Sequence, residues 1–494
     1  DASANGADVM RPKVCLPIRC FSQLLVCAAS LGLCTQSQAQ QVTLDGSLTG
    51  SGVRDLIGPD FQVFESDGKL AGRNLFHSFK EFSLQNGQSA TFHGSSDIRN
   101  ILSRVTGGNH SDINGAIISR IPGANYFFIN PNGVVFGPSA SIDIDGAFTV
   151  TTADQVELFD GTIFSATPEA ADFSLTSADV TSFGFLGPKK PSGVRFDGGT
   201  LRAAPGESLN VIAGNIALNG TEILAYASDV RLASLASSGT VITDINDTTG
   251  NIELRDVDAM GSVAMDFGYI DTSDSTPEEI LGDQAGKVMI RSGQLTMVRD
   301  SDIVSFTRSN GVGRGIDIAG ARILIDGSSD LSATTFSQAK GGDVILRAEG
   351  NLDVLGNGVI EAVTKGSGPG GSIDIAAGSV RVADGGEIAA DAAGDGAGGN
   401  VVIHATSLEV NGFGQITTST EGTEKAGNIT LKIADAISVN GVGQITASTK
   451  STNSSGTGGS IVIEAANIVI DGNGSLISAR ALDRLTGETT RGQA

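Results

Sequence analysis

Apolar residues in the second half of the chain alternate in short runs, and the runs themselves recur. Taking as anchor the residue before each run gives Gly286, Arg314, Gly342, Gly371, Gly399, Gly427 and Gly459, spaced 28, 28, 29, 28, 28 and 32 residues apart. Two and four residues after each anchor stand pairs such as Val288/Ile290, Ile316/Ile318, Val344/Leu346 and Ile373/Ile375. A period of two puts both members of a pair on one face of a strand. A second strand follows, then a Gly-x-Gly turn and a third strand, as in Val410-x-Gly412-x-Gly414-x-Ile416 and Val439-x-Gly441-x-Gly443-x-Ile445. No 3.6-residue stripe accompanies these runs, and each Gly inside a helix would cost about 1 kcal/mol. A propeller blade needs about 40 residues and four strands. Repeats of this length suit single coils of an all-β parallel β-helix, a single-stranded solenoid, stacked about 4.8 Å apart. Roughly 16 such coils would use the whole mature chain. Glycine supplies positive φ at the corners. The polar insertions Asp271–Gly282 and Lys450–Gly456 are expected to loop out there.

The first part reads differently. Of 21 Phe, only Phe267, Phe306, Phe336 and Phe413 follow Phe196. This break divides the chain into residues 40–200, with an aromatic core, and repeats over 201–476, with a tail at 477–494. Residues 1–39 read as an upstream extension and a signal peptide. Met10 opens a basic stretch, an apolar run spans Cys20 to Cys34, and Ser37-Gln38-Ala39 fits a cleavage site. The apolar run is short for a membrane span, and no other stretch suffices. All four cysteines lie in this segment, so the mature chain has no thiol for disulfides, zinc or catalysis. The net charge of −23 disfavours nucleic acid as a partner.

Three ordered stretches stand out in the aromatic part. They are Asn74-Leu75-Phe76-His77-Ser78-Phe79, then Asn100 through Arg104 to Gly107-Gly108, then Phe128-Ile129-Asn130-Pro131-Asn132-Gly133-Val134. With Ala140–Asp143 and Gly146–Phe148 behind them, they resemble the secretion domain of two-partner-secretion exoproteins, the filamentous haemagglutinin N-terminal family. The match covers residues 41–155. The resemblance implies a right-handed β-helix with an N-terminal cap. It also implies recognition by an outer-membrane β-barrel transporter, and secretion or display at the cell surface of a Gram-negative bacterium. It ties Asn130, Pro131, Asn132 and Gly133 to export, and makes Asn74, Leu75, Phe76, His77, Phe79, Arg104, Gly107 and Gly108 signature positions. The family's second motif, Asn-Pro-Asn-Leu, is absent. Read physically, Asn130–Gly133 is a tight turn between apolar strands. Shaping a corner and contacting a transporter are both open roles. His77 is expected to be a hydrogen-bonded structural histidine. Arg104 is expected to pair with a carboxylate or a backbone carbonyl.

Little else carries chemistry. His77, His93, His110 and His404 have no metal-ligand spacing, so no metal or cofactor is expected. Asn310–Gly315 holds a glycine run without a following helix, which makes a nucleotide loop unconvincing. Asp391 and Asp395-Gly396 lack a calcium-loop frame. The six Asn-x-Ser/Thr sites, Asn109 and Asn219 among them, carry little weight. Asp143, Asp145 and Asp317 should face outward, yet no column combining carboxylates with basic residues is evident at matching repeat positions. The expectation is therefore an adhesin-like exoprotein and not an enzyme, meeting host, neighbour-cell or matrix glycans or proteins. The alternative is a β-helix polysaccharide lyase or hydrolase. A toxin stem is disfavoured because no globular domain follows the repeats.

Overall fold

The computed structural model describes residues 41–167, 174–243, 251–276, 279–449, 457–482 and 489–490. The proposed signal peptide, its cysteines and the insertion 450–456 lie outside them. The described residues form a parallel β-solenoid with no α-helix and one 3-10 turn, Glu65–Asp67.

One register ladder runs through thirteen strands, from Asn74–Phe82 to Ile461–Ile470. The thirteen rungs are fewer than length alone allows, because insertions leave the coil path. Residues such as Leu75, Tyr126, Phe148, Val288 and Ile373 occupy one inward position of this ladder and are buried. Each fully buried Val, Ile or Leu contributes about 1.5–3 kcal/mol, and no coil could bury its own without a neighbour. The third face carries a four-stranded parallel sheet early on and an eleven-stranded sheet later.

The N-terminus is capped. Val42–Leu44 and Lys69–Ala71 pair antiparallel with the first strand of the ladder, covering its open edge. A five-stranded antiparallel sheet, whose end strands are Ile163–Ser165 and Glu253–Arg255, stands outside the solenoid. Its residues Val156, Phe164, Phe183 and Val241 pack on Phe76, Leu102, Phe127 and Ile129, which point out of the first coils.

Three details differ from the sequence reading. The first two strands of each repeat run together as one bent strand of 10 or 11 residues, such as Val344–Val354, so only two strands remain per coil. In the Gly-x-Gly turns at Gly356, Gly412 and Gly441, positive φ falls on the first Gly and on the residue between, as at Gly441 and Val442, whereas at Gly472 and Gly474 both glycines take it. The second Gly is needed for closeness: a Cβ on Gly443 would lie 2.2 Å from the Val410 carbonyl oxygen. Finally, Asp271–Ser275 is buried rather than looped out. Asp274 accepts the backbone N–H groups of Arg308 and Ser309 (2.9 and 2.8 Å), so its polarity serves the next coil.

Candidate functional site

The three signature stretches fall on successive strands, Asn74–Phe82, Asn100–Val105 and Asn125–Ile129, in parallel register. Asn74, Asn100 and Asn125 therefore stack. The Asn100 amide donates to Asn74 Oδ1 (2.8 Å) and the Asn125 amide to Asn100 Oδ1 (2.9 Å). The Ala147 N–H closes the row on Asn125 Oδ1 (3.0 Å). The Asn74 amide donates to the Thr176 and Ala178 carbonyls, fastening the row to the outer sheet's connection. Such a row satisfies buried amides coil by coil and fixes register. Asn125 was not singled out from sequence. Its spacing from Asn100, close to that of Asn100 from Asn74, was the available signal.

Alternation sets the other signature side chains. Leu75 and Phe79 point into the core, where Phe79 meets Phe82 at 5.0 Å, and Phe76 points outward onto Phe164 at 4.9 Å. His77 faces inward and is fully buried; its Nε2 pairs with the Phe64 carbonyl at 3.2 Å. Burial lowers its pKa to about 4, which keeps it neutral at ordinary pH.

Arg104 is also fully buried, under the outer sheet. It donates to Ser78 Oγ (2.8 Å), the Ser165 carbonyl (2.6 Å) and Ser47 Oγ (3.1 Å), and its guanidinium lies 4.5 Å from the Phe164 ring centre. Asp45 joins through Ser78 and Thr106. Burial would raise the Asp45 carboxyl, but hydrogen bonds from Ser78, Ser47 and Thr106 outweigh it and hold it below its ordinary value.

Asn130–Gly133 links the strands Asn125–Ile129 and Val134–Phe136. Asn130 is fully buried, and its amide donates to the Asn109 carbonyl (3.1 Å) and Ser111 Oγ (2.9 Å) on the preceding coil. Its Oδ1 accepts the Asn132 N–H (2.9 Å), an Asx turn. Gly133 has a φ of 107°. Asn132 is exposed, yet its amide reaches the Gly107 carbonyl at 2.7 Å. A Cβ at Gly107 would fall 2.0 Å from the Lys80 carbonyl oxygen, whereas Gly108 stands in open space. The second and third stretches thus meet: the turn holds the 107–109 loop with two asparagines. Pro131 and Asn132 present the motif's accessible surface, and Asn130 does not.

A second arrangement lies in the repeats. Basic and acidic residues do combine at matching positions, contrary to the expectation from sequence. Arg291 donates to Asp317 (2.9 Å) and Arg347 to Asp374 (2.8 Å), each Asp two residues earlier in the repeat of the following coil. Asp317 also holds Lys287 at 3.0 Å. Burial favours its neutral form, but Arg291 and Lys287 prevail and hold its carboxyl below the ordinary range. A carboxylate so engaged is a poor general acid. Asp143 pairs with Arg120 at the surface, and Asp391 accepts from Thr417 and Ser419. Asp330, on the third face beside Asp302, has its pKa raised to about 7 by burial and by the neighbouring carboxylates.

The model of the TPS secretion domain, the two-partner secretion domain, matches residues 40–290. The chain belongs to that family. The match spans the cap, the stacked asparagines, the Asn130–Gly133 turn and the outer sheet. Among solved structures, the crystal structure of the HMW1 secretion domain from Haemophilus influenzae is similar, at 16% identity and a TM-score of 0.44, covering 82% of this chain and 96% of that one. No curated protein matches. Among the described residues, no helix is long and apolar enough to cross a membrane.

Proposed function

We propose that this chain is a non-enzymatic, adhesin-like exoprotein, displayed or released at the cell surface. A partner outer-membrane β-barrel transporter recognises its N-terminal coils, and its own targets are glycans or proteins of a host, a neighbouring cell or a matrix. Family membership over residues 40–290 carries the export part of this reading. The turn at Asn130–Gly133 divides the labour. Asn130, buried on the neighbouring coil, acts through folding, or is read before that coil closes. Asn132, exposed, is the contact available on the finished coil.

The test is export from a Gram-negative host with and without the transporter encoded beside the gene, for wild type, Asn130→Ala and Asn132→Ala. Transporter-dependent appearance outside the cell is expected. Asn132→Ala should lose export while its purified form melts like wild type; Asn130→Ala should lower the melting temperature as well. Export without the transporter, or retention in the periplasm with it, overturns the reading.

A further inference from the structure

The corner between the first and second faces of the solenoid changes along its length. In the early coils, insertions depart there: 152–193 between Phe148–Thr151 and Val194–Asp197, and 235–261 between Val230–Ser234 and Ser262–Asp266. From Val288 on, the corner is a bend of small residues inside a single strand. That bend forms a groove of about 1590 Å³ across successive coils, floored by residues such as Gly320, Ala348, Ala377 and Ala405. Leu254, Val257 and Met260 of the last insertion close its near end.

One wall is a single register position. It carries Arg291, Arg347, His404 and Lys432, with Ala319 and Ala376 between the first three. Neighbouring rungs stand about 4.8 Å apart, so the first three cationic or imidazole groups recur about every 9.6 Å. Asp317 and Asp374 hold the two guanidiniums in place, which lowers the ordering cost of binding. His404 and Lys432 are exposed and make no ion pair among the described residues. Arg322 stands on the opposite wall. Besides Asp317 and Asp374, which pair with the two guanidiniums, the acidic residues at the groove are Asp258 at the near end, Glu464 at the far end and Glu349 between. On a chain of net charge −23, this basic row is a local departure.

We infer that the groove binds a linear acidic polysaccharide lying along the solenoid axis, with one carboxylate or sulfate per disaccharide. A two-coil step is close to the length of one disaccharide in an extended glycan, so successive acidic groups meet Arg291, Arg347 and His404. Single-stranded nucleic acid is the poorer fit, since it requires aromatic stacking platforms and the groove is lined by none. The inference deepens the adhesin reading by giving its ligand class and rests on that reading for its biological role; the binding itself is tested on purified protein.

The probe is a hyaluronan decasaccharide, with dextran as the neutral control, titrated by calorimetry at low and high salt. Wild type binds the acidic glycan, more weakly at high salt, and not dextran. The His404→Gln/Lys432→Gln double variant, which alters exposed groups only, binds about tenfold more weakly with an unchanged melt, and Arg347→Gln about fivefold. Lys425→Gln, the same charge change outside the groove, stays within about twofold. Wild-type affinity in the groove variants, equal affinity for dextran, or no binding of the acidic glycan overturns the inference. Cell attachment that persists in the groove variants would overturn it too, while leaving the adhesin reading standing.

Discussion

Along one register ladder, the first six coils and the coils after Arg291 differ in what covers their outer face. Phe76, Leu102 and Phe127 point outward in the early coils and need the antiparallel sheet above them. The later coils place Asp317, Ile345, Asp374, Val402 and Thr430 at that same position and Ala, Arg, His or Lys two residues on, and among the described residues no sheet covers them. The early coils are individual: a buried arginine, a row of asparagines, stacked aromatic rings. The later coils are interchangeable and rely on repetition. A covered face specifies one structure, and an uncovered, polar one is available to ligands.

The sharpest way to break this contrast is to uncover the early coils. Phe164→Ala removes the ring over Arg104 and against Phe76, and should destabilise the N-terminal coils by about 3–5 kcal/mol. Hydrogen exchange should show the loss there and not beyond residue 316. The converse change is Gly427→Ala. Its Cβ would meet the Gly399 carbonyl oxygen at 1.6 Å, so the coils must part, at about 2–4 kcal/mol, with exchange rising on both sides of the insertion.

Acid separates the regions further. His77 has a folded-state pKa of about 4 against 6.5 unfolded, so its contribution is intact above pH 6.5 and is lost as pH falls from there to about 4. The loss is roughly 3 kcal/mol, and a denaturation series across that range should flatten in His77→Gln. Asp330 works in the opposite sense. Its raised pKa favours the folded state below pH 3.8, and that advantage disappears as pH rises through about 7. Asp330→Asn should therefore stabilise the later coils at pH 8, by about 1–2 kcal/mol once solvent screening is allowed for. The smallest effect belongs to Val442, a β-branched residue at a φ of 72°. Val442→Asn should gain about 1 kcal/mol in a thermal melt.

Much of this was legible in the chain. The anchor spacing gave the coil, and the alternating pairs gave the inward ladder, because both are local periodicities. The outer sheet was not legible: its strands are short, pair antiparallel across insertions, and bury residues such as Phe164 and Phe183 against positions far away in sequence. Asn130 could be named from its motif, but its burial depends on Asn109 and Ser111 one coil earlier. The basic row was present in the sequence five residues after the anchors Gly286, Gly342, Gly399 and Gly427. Ala319 and Ala376 on the intervening coils hid it, since an interrupted row does not look like a column until the coils are stacked.

The ladder has one more consequence. From Val288 on, nearly every backbone pairing joins residues about 28 positions apart, one coil to the one before it. A chain supplied from its N-terminus could therefore finish each turn as soon as that turn arrived, without waiting for anything downstream. Final structure and order of synthesis then coincide, and growth always takes place at a single exposed front.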